Sequence, residues 1–243
     1  AGVTHTTENG WKVDFNNSYG KNNFHYFIKG SNNASLMDAS PTDFDAGGHS
    51  LAMNTTSLDF SKYYEDIAAG FNLAFGLEYR TENFEIFAGE EASYATYDIN
   101  GNIVGLTTDP NDIVVLNDED GNPIVDQMGN TIPRPGGSQG FPGYSPGNAV
   151  DRNRSNFGGY IDAELNLTEA FLLGGALRYE TYSDFGNTFN YKLASRYKIN
   201  DQFSLRGSIS SGFRAPSLAQ IYYNLIFNDI VGGTSVRTLL SSN

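Results

Sequence analysis

Apolar and polar residues alternate along most of this chain. Across residues 11–19 the odd positions are Trp11, Val13, Phe15, Asn17 and Tyr19, and the even ones are Lys12, Asp14, Asn16 and Ser18. An extended strand with that spacing has one greasy face and one polar face. Gly20, Lys21, Asn22 and Asn23 predict a turn, after which Phe24, Tyr26 and Ile28 restart the alternation. The first two strands are therefore expected to form a tight hairpin. Residues 30–48 read as loop on their Asn, Pro and Gly content. In residues 50–61, Leu51 and Met53 mark one face while Leu58 and Phe60 mark the other, a register conflict that a bulge would resolve. Phe71, Leu73, Phe75, Leu77 and Tyr79 then alternate cleanly with Asn72, Ala74, Gly76, Glu78 and Arg80.

Residues 82–153 are the longest irregular stretch, rich in Asp, Asn, Gly and Pro. Four regular strands follow. Phe157, Ile161, Ala163 and Leu165 oppose Tyr160, Asp162 and Glu164; Phe171, Leu173, Leu177 and Tyr179 oppose Arg178 and Glu180. Phe189, Tyr191, Leu193 and Tyr197 oppose Lys192, Arg196 and Lys198, and Phe203, Leu205 and Ile209 oppose Ser204, Arg206, Ser208 and Ser210. The alternation predicts eight antiparallel strands in a meander.

Two architectures take such strands. In a soluble sandwich the apolar faces meet each other; in a transmembrane barrel they face lipid and the polar faces line a wet interior. Links that alternate short and long, aromatics near strand ends, charges such as Arg178, Glu180, Lys192, Arg196 and Arg206 on the polar faces, and strands of about 10 residues favour the barrel. The long stretch at 82–153 then reads as an extracellular loop, and the whole chain, 1–243, as part of one barrel domain.

Composition adds exclusions. Aromatics at 14 % and 27 Gly suit strands and turns. With no Cys there is neither a disulfide framework nor a thiolate metal site. A net charge of −13 without a basic cluster argues against nucleic acid as a partner. No G-x-S-x-G, HExxH or phosphate-loop motif occurs, and His5, His25 and His49 are scattered, so catalysis has no support.

At residues 211–219 the chain reads SGFRAPSLA. With NLAFGLEYRTENFEIFAGEEASY at 72–94, LLGGALRYETYSDFGNTFNYKLASRYKINDQFSLRGSISSGFRAPS at 172–217 and WKVDFNNSYG at 11–20, it resembles the TonB-dependent outer-membrane receptors. The resemblance implies a barrel of about 22 strands, of which eight would be an interior slice ending in mid-loop. No plug domain is read within the chain. It also implies TonB-energised uptake of a scarce nutrient, whether ferric siderophore, cobalamin, glycan or peptide, without enzymatic chemistry or cofactor. Outer-membrane lipid, the rest of the barrel and plug, a periplasmic TonB-type protein and the nutrient would be its partners, and a surface lipoprotein is admitted. A small non-transporting outer-membrane barrel acting as adhesin or structural protein, and a soluble glycan-binding β-sandwich, stay open as alternatives.

Candidate sites follow. The motif residues Gly212, Phe213, Arg214, Ala215, Pro216 and Ser217 are expected at the barrel rim, with Arg214 paired to a carboxylate of the polar face and Pro216 ending the last strand. Phe84, Phe87, Tyr94, Tyr97, Phe141, Tyr144, Tyr222 and Tyr223 are the aromatic loop residues that an arriving substrate would meet first. Asp118, Asp120 and Asp126 have the oxygen density of a calcium loop, but Gly129 stands where an EF-hand needs its Glu, so a solvated acidic turn is the preferred reading.

Overall fold

The computed structural model describes residues 1–231 and 234–241. Its main sheet holds eight strands in chain order: β1 (Gly2–Thr6), β2 (Lys12–Lys29), β3 (Asp43–Tyr64), β4 (Phe71–Phe87), β5 (Val150–Asn166), β6 (Phe171–Tyr182), β7 (Gly186–Lys198) and β8 (Ser204–Ser210). Each strand is antiparallel to the next, and β1 and β8 are the edges. Short helices α1 (Glu91–Tyr94) and α2 (Leu218–Tyr222) follow β4 and β8, and β9 (Asn224–Val231) pairs with β10 (Thr234–Ser241) in a separate ribbon. Leu239 and Leu240, expected in a loop, are thus in a strand, while Ser242 and Asn243 lie outside the described residues.

The count of eight survives two compensating differences. The strand β1 was not foreseen, and the expected hairpin across residues 20–23 does not exist, because β2 runs unbroken through Gly20 for 18 residues. Likewise β3 spans 22 residues and begins at Asp43, inside the expected loop. At roughly 3.4 Å per residue such a strand is about 75 Å long, about twice what a tilted crossing of some ten residues needs.

Two compact units divide these strands. The first comprises Ala1–Lys21, Ala52–Asn83 and Asn153–Pro216; the second comprises Asn22–Leu51, Phe84–Arg152 and Ser217–Asn243. The division falls inside β2, β3, β4 and β5, and at each crossing the apolar residues change face. In β4 the odd positions Leu73 to Tyr79 are apolar and Glu78, Arg80 and Glu82 are charged; from there on the buried apolar residues are the even Phe84 and Ile86, beside the odd Asn83 and Glu85. In β2 the odd series ending at Tyr19 gives way to the even Phe24, Tyr26 and Ile28, and in β3 the even Leu58 and Phe60 give way to the odd Leu51. In β5 the odd series passes to Val150. A face against lipid must be apolar only where lipid is; beyond it, the apolar residues belong on the side that packs against protein. Both the expected turn at 20–23 and the register conflict at 50–61 are this exchange of faces.

In the first unit the register is regular. Ile161 pairs with Leu177 and Leu177 with Tyr191 in one cross-strand row, and Leu193 pairs with Ile209 in the next, both on the apolar face. These side chains are exposed, Leu193 at 59 % and Ile209 at 63 %, as a lipid-facing band requires. The T-shaped pairs Phe171 with Tyr197 (6.2 Å) and Trp11 with Phe75 (5.6 Å) stand near strand ends. Links at this end are short: residues 7–11, 65–70, 167–170 and 199–203. At the other ends of the strands lie the long links 30–42 and 88–149, with 183–185 the short exception.

The second unit has a conventional core of Phe84, Ile86, Tyr144, Leu218 and Leu225, against which Tyr26, Leu51, Phe141, Val150 and Tyr222 pack. Gly47, with φ of 73°, and Gly48 let β3 approach neighbouring backbone; a Cβ on Gly48 would run into the Phe24 carbonyl.

Candidate functional site

The inner, polar face of the first unit carries a chain of ion pairs. Arg178 bonds Glu180 Oε1 at 2.9 Å and Glu78 Oε1 at 3.2 Å. Arg80 lies 3.4 Å from Glu78 and 3.9 Å from Glu82. At its end is Arg154, whose side chain is only 2 % exposed. Its Nη2 is 2.7 Å from Asp184, its Nε donates to the same carboxylate at 2.8 Å, and Glu82 lies 3.6 Å from Nη1. Tyr160 donates to Asp59 at 2.7 Å on the same face. Of these charges Arg154 and Glu180 are the most buried, and each lies against an opposite charge, as a buried charge must.

Arg154 also explains the SGFRAPS segment. Its Nη1 donates to the Pro216 carbonyl at 2.8 Å, and its guanidinium lies 5.4 Å from the Phe185 ring centroid. Phe213 packs on the same ring at 5.4 Å, and Phe185 stacks on Tyr182 at 4.3 Å. Residues 211–217 thus form a strap without regular secondary structure, pinned at both ends: Ser211 donates to the Tyr191 carbonyl, and Ser217 caps α2 in a capping box with Gln220. Two expectations change. Strand β8 ends at Ser210, six residues before Pro216, and among the described residues Arg214 is exposed and forms no ion pair. Nearby, Asp184 and Glu82 are paired with Arg154 instead.

The eight aromatic candidates all fall in the second unit, but not on one surface. Phe84 (1 % exposed) and Tyr144 (0 %) are enclosed in its core, and Tyr97 is buried with its hydroxyl donating to Glu91 at 3.0 Å. Burial and the Glu91 carboxylate push the Tyr97 phenol up to about 12. Tyr144 and Tyr223 share a hydrogen bond of 2.9 Å between their hydroxyls, and burial followed by that bond raises the Tyr144 phenol above the ordinary tyrosine range. Phe141 and Tyr26 pack in a tilted pair at 4.9 Å, Tyr222 receives the Arg152 guanidinium at 5.3 Å, Phe87 meets His25 edge-on at 5.2 Å, and Tyr94 closes α1. Phe84, Tyr97 and Tyr144 are thus enclosed, whereas Phe87, Tyr94, Phe141, Tyr222 and Tyr223 keep part of their surface exposed.

In the 88–149 link a pattern recurs that sequence reasoning missed. Asp98-Ile99-Asn100-Gly101-Asn102, Asp118-Glu119-Asp120-Gly121-Asn122 and Asp126-Gln127-Met128-Gly129-Asn130 share the form D-x-x-G-N. Each builds the same hairpin. The Asp carboxylate accepts from the amides two and four residues on, the Gly takes a φ of 78°, 84° or 85°, and the Asn amide returns to the Asp. The backbone bonds from Asn102, Asn122 and Asn130 hold Asp98, Asp118 and Asp126 below the usual carboxylate range. Asp118 and Asp126 therefore act as turn staples with their oxygens committed to the chain, and no cluster with metal-ligating spacing occurs among the described residues.

An apolar lipid-facing band, a charged inner face and links short at one strand end and long at the other define the wall of a transmembrane β-barrel. The family follows from comparison: the model of the TonB dependent receptor-like β-barrel matches residues 1–240, and the chain belongs to that family. A search of curated proteins finds no match. The barrels of this family lie in the outer membrane, and its members are transporters rather than enzymes.

Proposed function

We propose that this chain is part of the barrel of a receptor that imports a scarce nutrient across the outer membrane with energy from a TonB-type periplasmic protein. The family match over residues 1–240 carries the reading. The inner face supports it: a row of paired charges from Arg178 to Arg154 makes a hydrated wall that a polar solute can pass. The loop module, with its own core and three stapled hairpins, supplies ordered surface outside the lipid. Ferric siderophores, cobalamin, glycans and peptides are the nutrient classes to be compared, with a plug and a surface lipoprotein as further partners.

The experiment is uptake of labelled nutrients by cells that carry or lack the receptor gene, each with and without the TonB-type protein. The reading requires one nutrient whose uptake needs both. If receptor-dependent uptake persists unchanged without the energising protein, the reading fails.

A further inference from the structure

Every arginine of the inner face discussed so far is paired, but two are not. The register of β7 with β8 sets Arg196 directly opposite Arg206. Both are exposed, both lie on the polar face, and neither forms an ion pair among the described residues. Directly opposed like charges destabilise a strand pair, since the two Cβ atoms stand only about 5 Å apart. The neighbourhood makes this more pronounced. Arg196 and Arg206 line an open hollow of about 510 Å³ with Lys192, Ala194 and Ser208, and Glu164 is the one carboxylate among its lining residues. Lys198, the next cation on the face, is neutralised by Asp201 at 2.7 Å. Three cations against one carboxylate remain, in a chain whose net charge is −13.

The cross-strand neighbours Ala194 and Ser208 are small, so the two long guanidinium stems have free space beside them. Two forked guanidinium groups in that position can grip one carboxylate from both sides, each with paired N–H donors, and Ser208 adds a hydroxyl. We infer that Arg196 and Arg206, with Lys192 at the margin, form a carboxylate-binding site on the inner wall. The inference rests on the polar face lining the barrel interior. The carboxylate has two possible sources, a side chain of a polypeptide segment seated against the wall or a free carboxylate solute.

The test uses the receptor in native outer membranes. A water-soluble carbodiimide joins a carboxylate to an amine only when the two are in contact, so Lys192 reports on its neighbours. A polypeptide occupant gives an isopeptide bond, identified by mass spectrometry, from Lys192 to an Asp or Glu outside the 243 residues. The double variant Arg196→Gln/Arg206→Gln should reduce it at least tenfold. A free solute gives no such bond; instead, millimolar citrate should slow acetylation of Lys192 by an activated ester in the wild type and not in the double variant. Coupling of Lys192 to Glu164 alone, or coupling and protection indifferent to both arginines, overturns the site. Reaction of Leu193→Cys with aqueous maleimide would instead overturn the barrel reading, so the two failures are distinguishable.

Discussion

Replacing Arg154 with Ala should release the strap at residues 211–217 while leaving the wall in the membrane. The side chain is 2 % exposed and makes four polar contacts, with Asp184 twice, with Glu82 and with the Pro216 carbonyl. Removing one partner of a buried ion pair costs about 3–5 kcal/mol, because the other charge stays buried without its counter-ion. Here Asp184 and Glu82 keep 23 % and 18 % exposure, so water partly compensates and the low end, about 3 kcal/mol, applies. Most of it should appear locally, since no strand hydrogen bond is lost. At about 1.4 kcal/mol per decade, opening of the strap should become roughly a hundredfold more frequent. Arg214 provides the assay: it is exposed and followed by Ala215, so trypsin can cleave there once the backbone opens. In intact outer membranes, nicking after Arg214 should accelerate by about that factor in Arg154→Ala and by less in Arg154→Lys, which keeps the charge but not the fork. Heat-modifiable mobility on gels would verify that the variant still folds. Equal nicking rates in a correctly folded Arg154→Ala would refute the claim that Arg154 pins the strap.

Three further outcomes are expected. Leu193→Arg should cost about 2–4 kcal/mol and reduce membrane assembly, whereas Ala176→Arg, facing inward between Asp162 and Lys192, should assemble normally. Phe84→Ala should cost about 3–5 kcal/mol, read as lost hydrogen-exchange protection in residues 84–152 with the protection of β6–β8 unchanged. The lowered carboxyls of Asp98, Asp118 and Asp126 give the three hairpins a stability present above the unfolded carboxylate value, near 3.9, and lost as pH falls through the folded values. Amide exchange in residues 98–102, 118–122 and 126–130 should therefore speed up on acidification below about pH 4 and be flat from pH 5 to 8, after correction for intrinsic rates.

The wall was legible because parity along a strand is a direct record of which side meets lipid, and β6, β7 and β8 each show it, with Leu173, Leu177, Leu193, Leu205 and Ile209 all at odd positions. What misled was the assumption that apolar parity keeps one face along a strand. At residues 20–23 and 50–61 the face exchanges where strand meets loop module, and the exchange resembles a turn in one place and a slip in the other. Had parity been followed through β5 past Tyr160, Arg154 would have appeared on the charged face, directly after the expected loop. The D-x-x-G-N repeat was also visible in the letters, but attention to oxygen density drew Asp118 toward metal binding and away from the turn that consumes its lone pairs. Phe84, Tyr97 and Tyr144 are enclosed for a general reason: a loop of some sixty residues needs its own core, and aromatics are among the residues that build it.

The central claim is that the alternation in β6–β8 separates lipid from lumen, and the absence of Cys makes it testable residue by residue. Single cysteines placed in turn from Leu172 to Ser210 in the receptor in native outer membranes should react with an aqueous maleimide in a period of two. Positions such as Lys192, Ala194 and Arg196 should react, and Tyr191, Leu193 and Tyr197 should be protected. Uniform reactivity, or protection at the even positions instead, would contradict the account.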